Sequence, residues 1–403
     1  MRPPFIKNTI FNLHLFKRLT LMSSANYEVL EHIQHRDYSL AIRRLLDMSY
    51  DSGNLSIIRE ATDWSRKWNE QLNNKPDAEL AEDFSETAHT LLQKSIAEIE
   101  KKDHEPTALL DAVQISKTYT KGNFRLNPIN ISIKSGDILG VVGENGNGKT
   151  TLLRCLAGQL FPDSGNVHYQ LLSNPDYYNI KNYVAFIPQR IPRWYGKLKD
   201  NLHFSASIAG IHGNANDVMV EFMLERLNLG RYAELTWTQI SSGYRTRFEI
   251  ARILLQKPQL LILDEPLANL DIKAQQTILT DLKYMTAWRN HPMGVVLSSQ
   301  QLHEVEKVAH SVLMIKNGTC VNQNTMQKEE AAVSGFVIEV ETKASREELQ
   351  QLFDEHVQIQ YNGGFYTITS AVYNAQQLMS RLVNSNVIVS YLRDITHSTK
   401  RFF

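Results

Sequence analysis

The sequence predicts a mostly parallel α/β domain, with an all-α domain ahead of it and a smaller α+β domain behind it. Three observations carry that prediction. Between Ala108 and Cys320, short runs such as Ile138 to Val142 and Leu260 to Leu263 are continuously apolar, as strands covered by helices on both faces must be. From Asn26 to Lys102 apolar residues recur at helical spacing instead. Beyond about residue 334 the pattern alternates in the order β-α-β-β-α-β, which predicts a ferredoxin-like fold.

In chain order, the first 22 residues are a basic and apolar arm. Three readings of it stay open: a disordered tail or mis-assigned start ahead of Met22, a segment docked on a core, and an amphipathic helix at a membrane surface. Lys7, His14, Lys17 and Arg18 interrupt every apolar run, which argues against a secretory signal. Residues 23–105 read as a helical bundle, with Ile57, Ala61, Trp64, Trp68 and Leu72 on one stripe and Pro76 as the only internal proline. The charged stretch Glu98 to Pro106 reads as a linker.

Strands are then expected at Ala112 to Lys117, Ile129 to Ile133, Ile138 to Val142, Tyr183 to Ile187, Leu260 to Leu263, Val295 to Leu297 and Val312 to Ile315. Gly318 is expected to close the last of these, with a second linker running to about Val333, so the α/β domain covers 108–320. In the domain at 334–403, Phe336 to Val340 begins the sheet and Ser345 with Glu348 forms a capping box for a helix from Arg346 to Glu355. Val357 to Tyr361 and Phe365 to Thr369 flank the turn Asn362-Gly363-Gly364, and a helix at Ala375 to Leu382 precedes a strand at Val387 to Tyr391.

Composition limits the function classes. Forty-three basic and 43 acidic residues cancel, so no global field draws the chain to nucleic acid or an anionic membrane. Its two cysteines, Cys155 and Cys320, form no metal-ligand or disulfide spacing, which fits a reducing, cytoplasmic setting. No run approaches the roughly 18 apolar residues of a membrane span.

The chemistry is carried by GENGNGKTT, Gly143 to Thr151. A buried strand precedes it and a helix, Thr151 to Gly158, follows. Gly143, Asn145, Gly146, Asn147 and Gly148 all tolerate the left-handed and open backbone needed to turn successive N–H groups inward around an anion; Glu144 is the exception in type. Lys149 would reach the β- and γ-phosphates, Thr150 would hold Mg²⁺, and the helix opening at Thr151 points its positive end at the ligand. About 115 residues on, the apolar strand Leu260 to Leu263 ends in Asp264-Glu265, two carboxylates suited to Mg²⁺ and to the attacking water respectively.

Together these residues closely resemble the ATP-binding cassette (ABC) family over about 210 of the 403 residues. The resemblance implies a P-loop ATPase binding ATP and Mg²⁺. It implies adenine stacking on Tyr119, with Phe124 as a substitute, and a sensor of Mg²⁺ and γ-phosphate at Gln189 in AFIPQR. It also implies a permease-facing segment at Lys197 to Gly210, of exporter type, and a communication loop at Ala268-Asn269-Leu270-Asp271. The signature loop, Leu-Ser-Gly-Gly-Gln in the family, stands as Ile240-Ser241-Ser242-Gly243-Tyr244, with Ser241 and Gly243 retained to meet the γ-phosphate of a second subunit's ATP. Ser242 either donates its hydroxyl there or weakens the closed dimer. Gln300, in SSQQLHEVE, replaces the family's switch histidine; its amide donates but carries no proton. His303 is expected on the surface, with a displaced switch as the other reading.

With one phosphate loop per chain, the implied partner is a second cassette, in the simplest case a homodimer. The leading expectation is therefore the ATPase subunit of an exporter, cytoplasmic and held at the membrane by a separate permease. A soluble regulatory ATPase and a weakly hydrolysing ATP-binding scaffold are the alternatives. The N-terminal domain is expected to bind a protein, with no nucleic acid among the partners.

Overall fold

The computed structural model describes residues 24–74, 77–99, 105–268, 270–321, 336–354, 356–362, 364–385 and 387–395. The arm at 1–22, Pro76, most of the first linker, the segment 322–333, Asn269, Gly363 and the last residues of the tail lie outside them.

The N-terminal bundle consists of α1 (Ser24–Gln34), α2 (Tyr38–Asp51), α3 (Leu55–Asn74) and α4 (Asp77–Ile99). Asp37 opens α2 by accepting the N–H of Leu40, and the expected stripe of α3 is buried at Ile57, Ala61, Trp64 and Trp68. Phe84 of α4 fills the space between Trp64 and Trp68, with ring centroids 5.1 and 5.0 Å away. Ile99 is still buried in α4, so the linker begins later than its charge suggests.

An antiparallel sheet follows, from β1 (Ala108–Tyr119), β2 (Phe124–Lys134) and, beyond β3 (Ile138–Val142) and α5 (Lys149–Leu156), β4 (Ser164–Tyr169), in the order β2-β1-β4. Next come α6 (Tyr177–Tyr183) and β5 (Val184–Ile187). Tyr183, expected in the strand, ends the helix instead, and its hydroxyl donates to the carbonyl of Leu109 at 2.8 Å. A helical lobe interrupts the sheet: α7 (Leu198–Ile208), α8 (Gly213–Arg226) and α9 (Ser242–Leu254). Its core stacks Trp194 on Trp237 with centroids 5.0 Å apart. The sheet resumes with β6 (Leu260–Leu263), α10 (Ile272–Thr286), β7 (Gly294–Ser299), α11 (Leu302–Val305), β8 (Ser311–Lys316) and β9 (Thr319–Val321).

The central sheet runs β5-β6-β7-β3-β8-β9, parallel except for the last pair. Gly318 therefore turns the chain and does not end the sheet. At φ +73° it makes the β8–β9 hairpin, and a Cβ there would meet the Arg125 carbonyl oxygen at 1.9 Å. Alternate residues of the fully buried strands face two cores. Leu139, Val141, Ile262 and Val296 pack against α5 and the antiparallel sheet. Ile138, Val142, Leu261 and Leu297 belong to one continuous core that runs through the helical lobe into the N-terminal bundle.

That continuity includes charge. Arg226, at the end of α8, is 2% exposed, and its guanidinium donates to Asp47 of α2 at 2.6 and 3.2 Å and to Asp281 of α10 at 2.6 Å. Arg43 of α2 also pairs with Asp281 at 3.1 Å. Arg66 of α3 meets Glu221 of α8 at 2.7 Å, and Asp51 accepts the N–H groups of Arg289 and Asn290 at 2.8 and 2.7 Å. The bundle is thus built into both the helical lobe and the sheet-bearing core.

The C-terminal unit comprises β10 (Phe336–Thr342), α12 (Arg346–Gln351), β11 (Val357–Asn362), β12 (Phe365–Ser370), α13 (Ala375–Asn384) and β13 (Val389–Asp394). It forms an antiparallel sheet in the order β11-β12-β10-β13. The Ser345–Glu348 capping box is present, but α12 stops at Gln351, short of the expected Glu355, and the last strand starts at Val389. Asn374 and Gln377 form a second capping box on α13.

Candidate active site

The phosphate loop hangs between β3 and α5, both buried, so its backbone is fixed at each end. Gly146 and Gly148 have φ of +82° and +102°, the left-handed geometry that glycine adopts without strain. A Cβ on Gly148 would also meet Phe124 Cζ at 2.6 Å, and one on Gly143 would meet the Ile315 carbonyl at 2.3 Å. Asn147 uses its side chain structurally: its Oδ1 accepts the N–H of Asn317 at 3.2 Å and ties the loop to the β8–β9 hairpin. Glu144 and Asn145 are exposed at the loop's tip.

Lys149 lies folded into the loop. Its Nζ donates to the carbonyl oxygens of Gly143 at 2.7 Å and Glu144 at 3.2 Å, and pairs with Glu265 Oε1 at 3.0 Å. Lys149 and Glu265 are 4% and 9% exposed, so each neutralises a charge that burial would otherwise penalise. The other Glu265 oxygen, Oε2, accepts from Gln189 Nε2 at 2.8 Å and from Gln300 Nε2 at 2.9 Å. Glu265 itself has φ +47°, a left-handed position where a non-glycine residue stores strain.

The neighbouring carboxylate is held separately. Asp264 accepts the Thr150 hydroxyl at 2.7 Å and the Ser298 hydroxyl at 2.8 Å, while Ser298 Oγ accepts the N–H of Glu265 at 2.8 Å. Ser298 is fully buried near the end of β7 and holds the Asp264 carboxylate and the Glu265 backbone. The signal available for it was its place at the end of a buried strand, beside Gln300.

Thr150 and Asp264 offer two adjacent hard oxygen ligands, which fits Mg²⁺: that ion takes one or two protein oxygens and completes its shell with water and phosphate. Tyr119 is 36% exposed at the end of β1, with the Phe124 ring 6.4 Å away, so both expected adenine-stacking candidates sit on one wall beside Gly148. Thr151 lies in the first turn of α5.

Lys149, Thr150, Gln189, Asp264, Glu265 and Gln300, drawn from four separate stretches of sequence, thus form one hydrogen-bonded cluster at the carboxyl ends of β3, β5, β6 and β7. The family profile described as ABC transporter matches residues 126–268. The SkfA peptide export ATP-binding protein SkfE of Bacillus subtilis is 32% identical over 212 residues, 52% of this chain and 86% of the relative. The chain belongs to the ABC transporter family. The phosphonates import ATP-binding protein PhnC of Bdellovibrio bacteriovorus is also 32% identical, over 231 residues, 53% of this chain and 87% of that protein. The methionine import ATP-binding protein MetN of Bacillus subtilis aligns further, 26% identical over 311 residues, 72% of this chain and 89% of its own length. Relatives named for import and for export therefore match the same cassette.

The residues expected to form the signature loop lie apart from this cluster, at the start of α9. Ser241 is its N-cap in extended conformation, makes no side-chain cap and is exposed; Ser242 begins the helix, also exposed. Gly243 packs near Leu270 and Ala274, 3.4 and 3.7 Å from where a Cβ would lie, so the signature loop touches the segment after Glu265 within the same chain. Tyr244, where the family carries glutamine, lies 4.0 Å from the Tyr232 ring and accepts from Arg231 at 3.2 Å; the Tyr232 hydrogen bond holds its phenol below the usual range. His303 is exposed on α11, while Gln300 makes the contact to Glu265. No helix among the described residues is long and apolar enough to cross a membrane.

Proposed function

We propose that this chain is the ATP-hydrolysing subunit of a transport system whose membrane-spanning part is a separate chain. The observation that carries it is the convergence of Lys149, Gln189 and Gln300 on Glu265, beside the Thr150–Asp264 pair. The amides of Gly143 to Gly148 and the start of α5 receive the phosphates, Lys149 leaves Glu265 for the β- and γ-phosphates, and Tyr119 stacks on adenine. Glu265, freed of its cation, orients the attacking water and takes up its proton as the terminal phosphate bond breaks. Thr150 and Asp264, with Gln189 near them, would hold Mg²⁺, which would supply charge neutralisation on the phosphates.

Ser241 and Gly243 act on the ATP of a second copy, so the working form is a dimer. Phe204 and Ile208, one helical turn apart on α7 and 68% and 66% exposed, support permease docking on the expected segment Lys197 to Gly210. The export direction is the narrower form of the proposal and rests on the exporter-like cast of that segment. The C-terminal β-α-β-β-α-β unit is a ferredoxin-like module that serves dimerisation or regulation.

Phosphate release tests the reading. The wild-type chain should hydrolyse ATP with Mg²⁺, and Glu265→Gln should bind ATP yet turn over at least about 100-fold more slowly, the scale of a lost acid–base group. Equal rates for the two proteins would overturn it.

A further inference from the structure

Two consecutive serines end β7, and their side chains leave the strand on opposite faces. Ser298 serves Asp264 and the Glu265 N–H. Ser299, 5% exposed, serves the loop that carries Gln300. Its Oγ donates to Glu304 Oε2 at 3.0 Å and accepts the N–H of Gln301 at 3.0 Å. The second bond closes a short turn around Gln300. The first ties that turn to α11.

Glu304 is the unexpected partner. It is 5% exposed, and among the described residues the Ser299 hydroxyl is its one side-chain hydrogen bond, with no Lys, Arg or His paired to it. Burying a carboxyl group without a cation is costly, so packing gives no reason to place an acid there. The helix that carries it is firmly seated. Val305, the next residue, is fully buried, and a Cβ on Gly140 of β3 would meet Val305 Cγ1 at 2.0 Å. Glu304 is therefore a fixed point beside a turn that needs one. Gln300 is exposed, so its neighbours do not pack it into place, yet its amide reaches Glu265 Oε2 at 2.9 Å through three rotatable bonds. Holding so free a side chain in one geometry costs entropy, and a loose backbone beneath it would add to that cost.

We propose that Glu304 is a positioning residue for ATP hydrolysis: through the Ser299 hydroxyl it locks the turn 299–301 and so aims the Gln300 amide at Glu265. It acts through Gln300 and not on the nucleotide. The inference rests on the reading of Glu265 as the group that orients the attacking water. Once Lys149 is drawn to the phosphates, the amides of Gln189 and Gln300 on Oε2 decide where that carboxylate points. Without Glu304 the turn loosens and one of the two amides no longer holds its place.

The test measures steady-state phosphate release by the full chain with ATP and Mg²⁺, beside a thermal melt that establishes folding. Glu304→Leu should lower kcat about tenfold and leave KM within about twofold, the pattern of a lost transition-state contact. Glu304→Gln keeps an acceptor for the Ser299 hydroxyl and should stay within about twofold of wild type. Gln300→Ala should lower kcat to a similar extent, and adding Glu304→Leu to it should lower the rate no further, because the two residues act as one unit. A merely structural role would slow both backgrounds alike. If Glu304→Leu fails to fold, Ser299→Ala takes its place in both backgrounds, with Ser299→Thr as the conservative rescue. An unchanged kcat in Glu304→Leu, no rescue by Glu304→Gln, or a further loss on top of Gln300→Ala would each overturn the proposal while leaving Glu265 in its role. A wild type that hydrolyses no ATP would instead sink the reading of Glu265, and this inference with it.

Discussion

Replacing Arg226 with methionine should destabilise the protein far more than the loss of an ordinary ion pair. Asp47 and Asp281, the two carboxylates it serves, are 0% and 1% exposed, so the substitution leaves charge stranded where water cannot reach it. Breaking a buried pair in this way costs about 3–5 kcal/mol. At about 2–4 °C per kcal/mol for units of this size, the thermal midpoint should fall by roughly 6–20 °C. Lys197 and Glu234, 2.6 Å apart but with side chains 55% and 67% exposed, provide the control: Lys197→Met should cost no more than about 1 kcal/mol.

The pH dependence adds a second check. Burial, the dominant cause, holds the Asp47 carboxyl above the ordinary carboxylate range even though Arg226 pulls the other way. A raised folded pKa means that the folded state keeps the proton more tightly, so this contribution is full below about 3.8 and is lost as pH rises through the folded value. Removing Arg226 removes the group that pulls this carboxyl down, so the variant should lose more stability than wild type as pH rises above the ordinary carboxylate range. Differential scanning calorimetry at two pH values measures both effects. A midpoint shift no larger than that of Lys197→Met would refute the reasoning. Replacing the whole network, with Arg43→Met, Asp47→Leu, Arg226→Met and Asp281→Leu together, should recover most of the loss, because the four charges that face one another there are removed together.

Three further outcomes follow from the site. Gln300→His should raise the rate of phosphate release and give it a pH dependence centred near about 6.5, the unperturbed imidazole value, where wild type shows none from this position; a pH–rate profile measures it. Ser298→Ala removes the hydroxyl that holds Asp264 and the Glu265 N–H, and should slow turnover about tenfold or more while costing about 1–3 kcal/mol in a denaturant melt. Burial pushes the Cys155 and Cys320 thiols up to about 11, so neither should react with a thiol reagent at about pH 8 until the protein unfolds.

The chemistry was legible wherever a local pattern encodes it. A glycine-rich turn between buried strand and helix, and a strand ending in two carboxylates, have no common alternative cause, and the structure brings both to one place. The continuously apolar strands were equally plain. The elements that escaped reading are those held by distant partners. β4, SGNVHY, is mostly exposed and is a strand only because β1 pairs with it. The hairpin strand β9 spans three residues after Gly318, too short to show a period. Ser298 is one hydroxyl in a buried strand, and its contacts exist only once β7 lies beside β6. Arg226 reads as an ordinary cation in the last turn of a helix, and nothing near it in sequence announces Asp47 or Asp281. For the same reason the bundle read as an appendage awaiting a partner, although its apolar stripes already have one in the cassette.

The Arg226 junction also sets an order of events at the ribosome. Asp47 is made early, but its partner lies 179 residues later, and Asp281 later still. At about 5–20 residues per second, roughly ten to forty seconds pass between completion of the bundle at Ile99 and synthesis of Asp281. During that interval the face of α2 that will bury Asp47 faces water, which keeps the carboxylate hydrated and the bundle undocked. Docking of the bundle on the cassette is therefore timed by translation: the bundle is made before the residues that seal it.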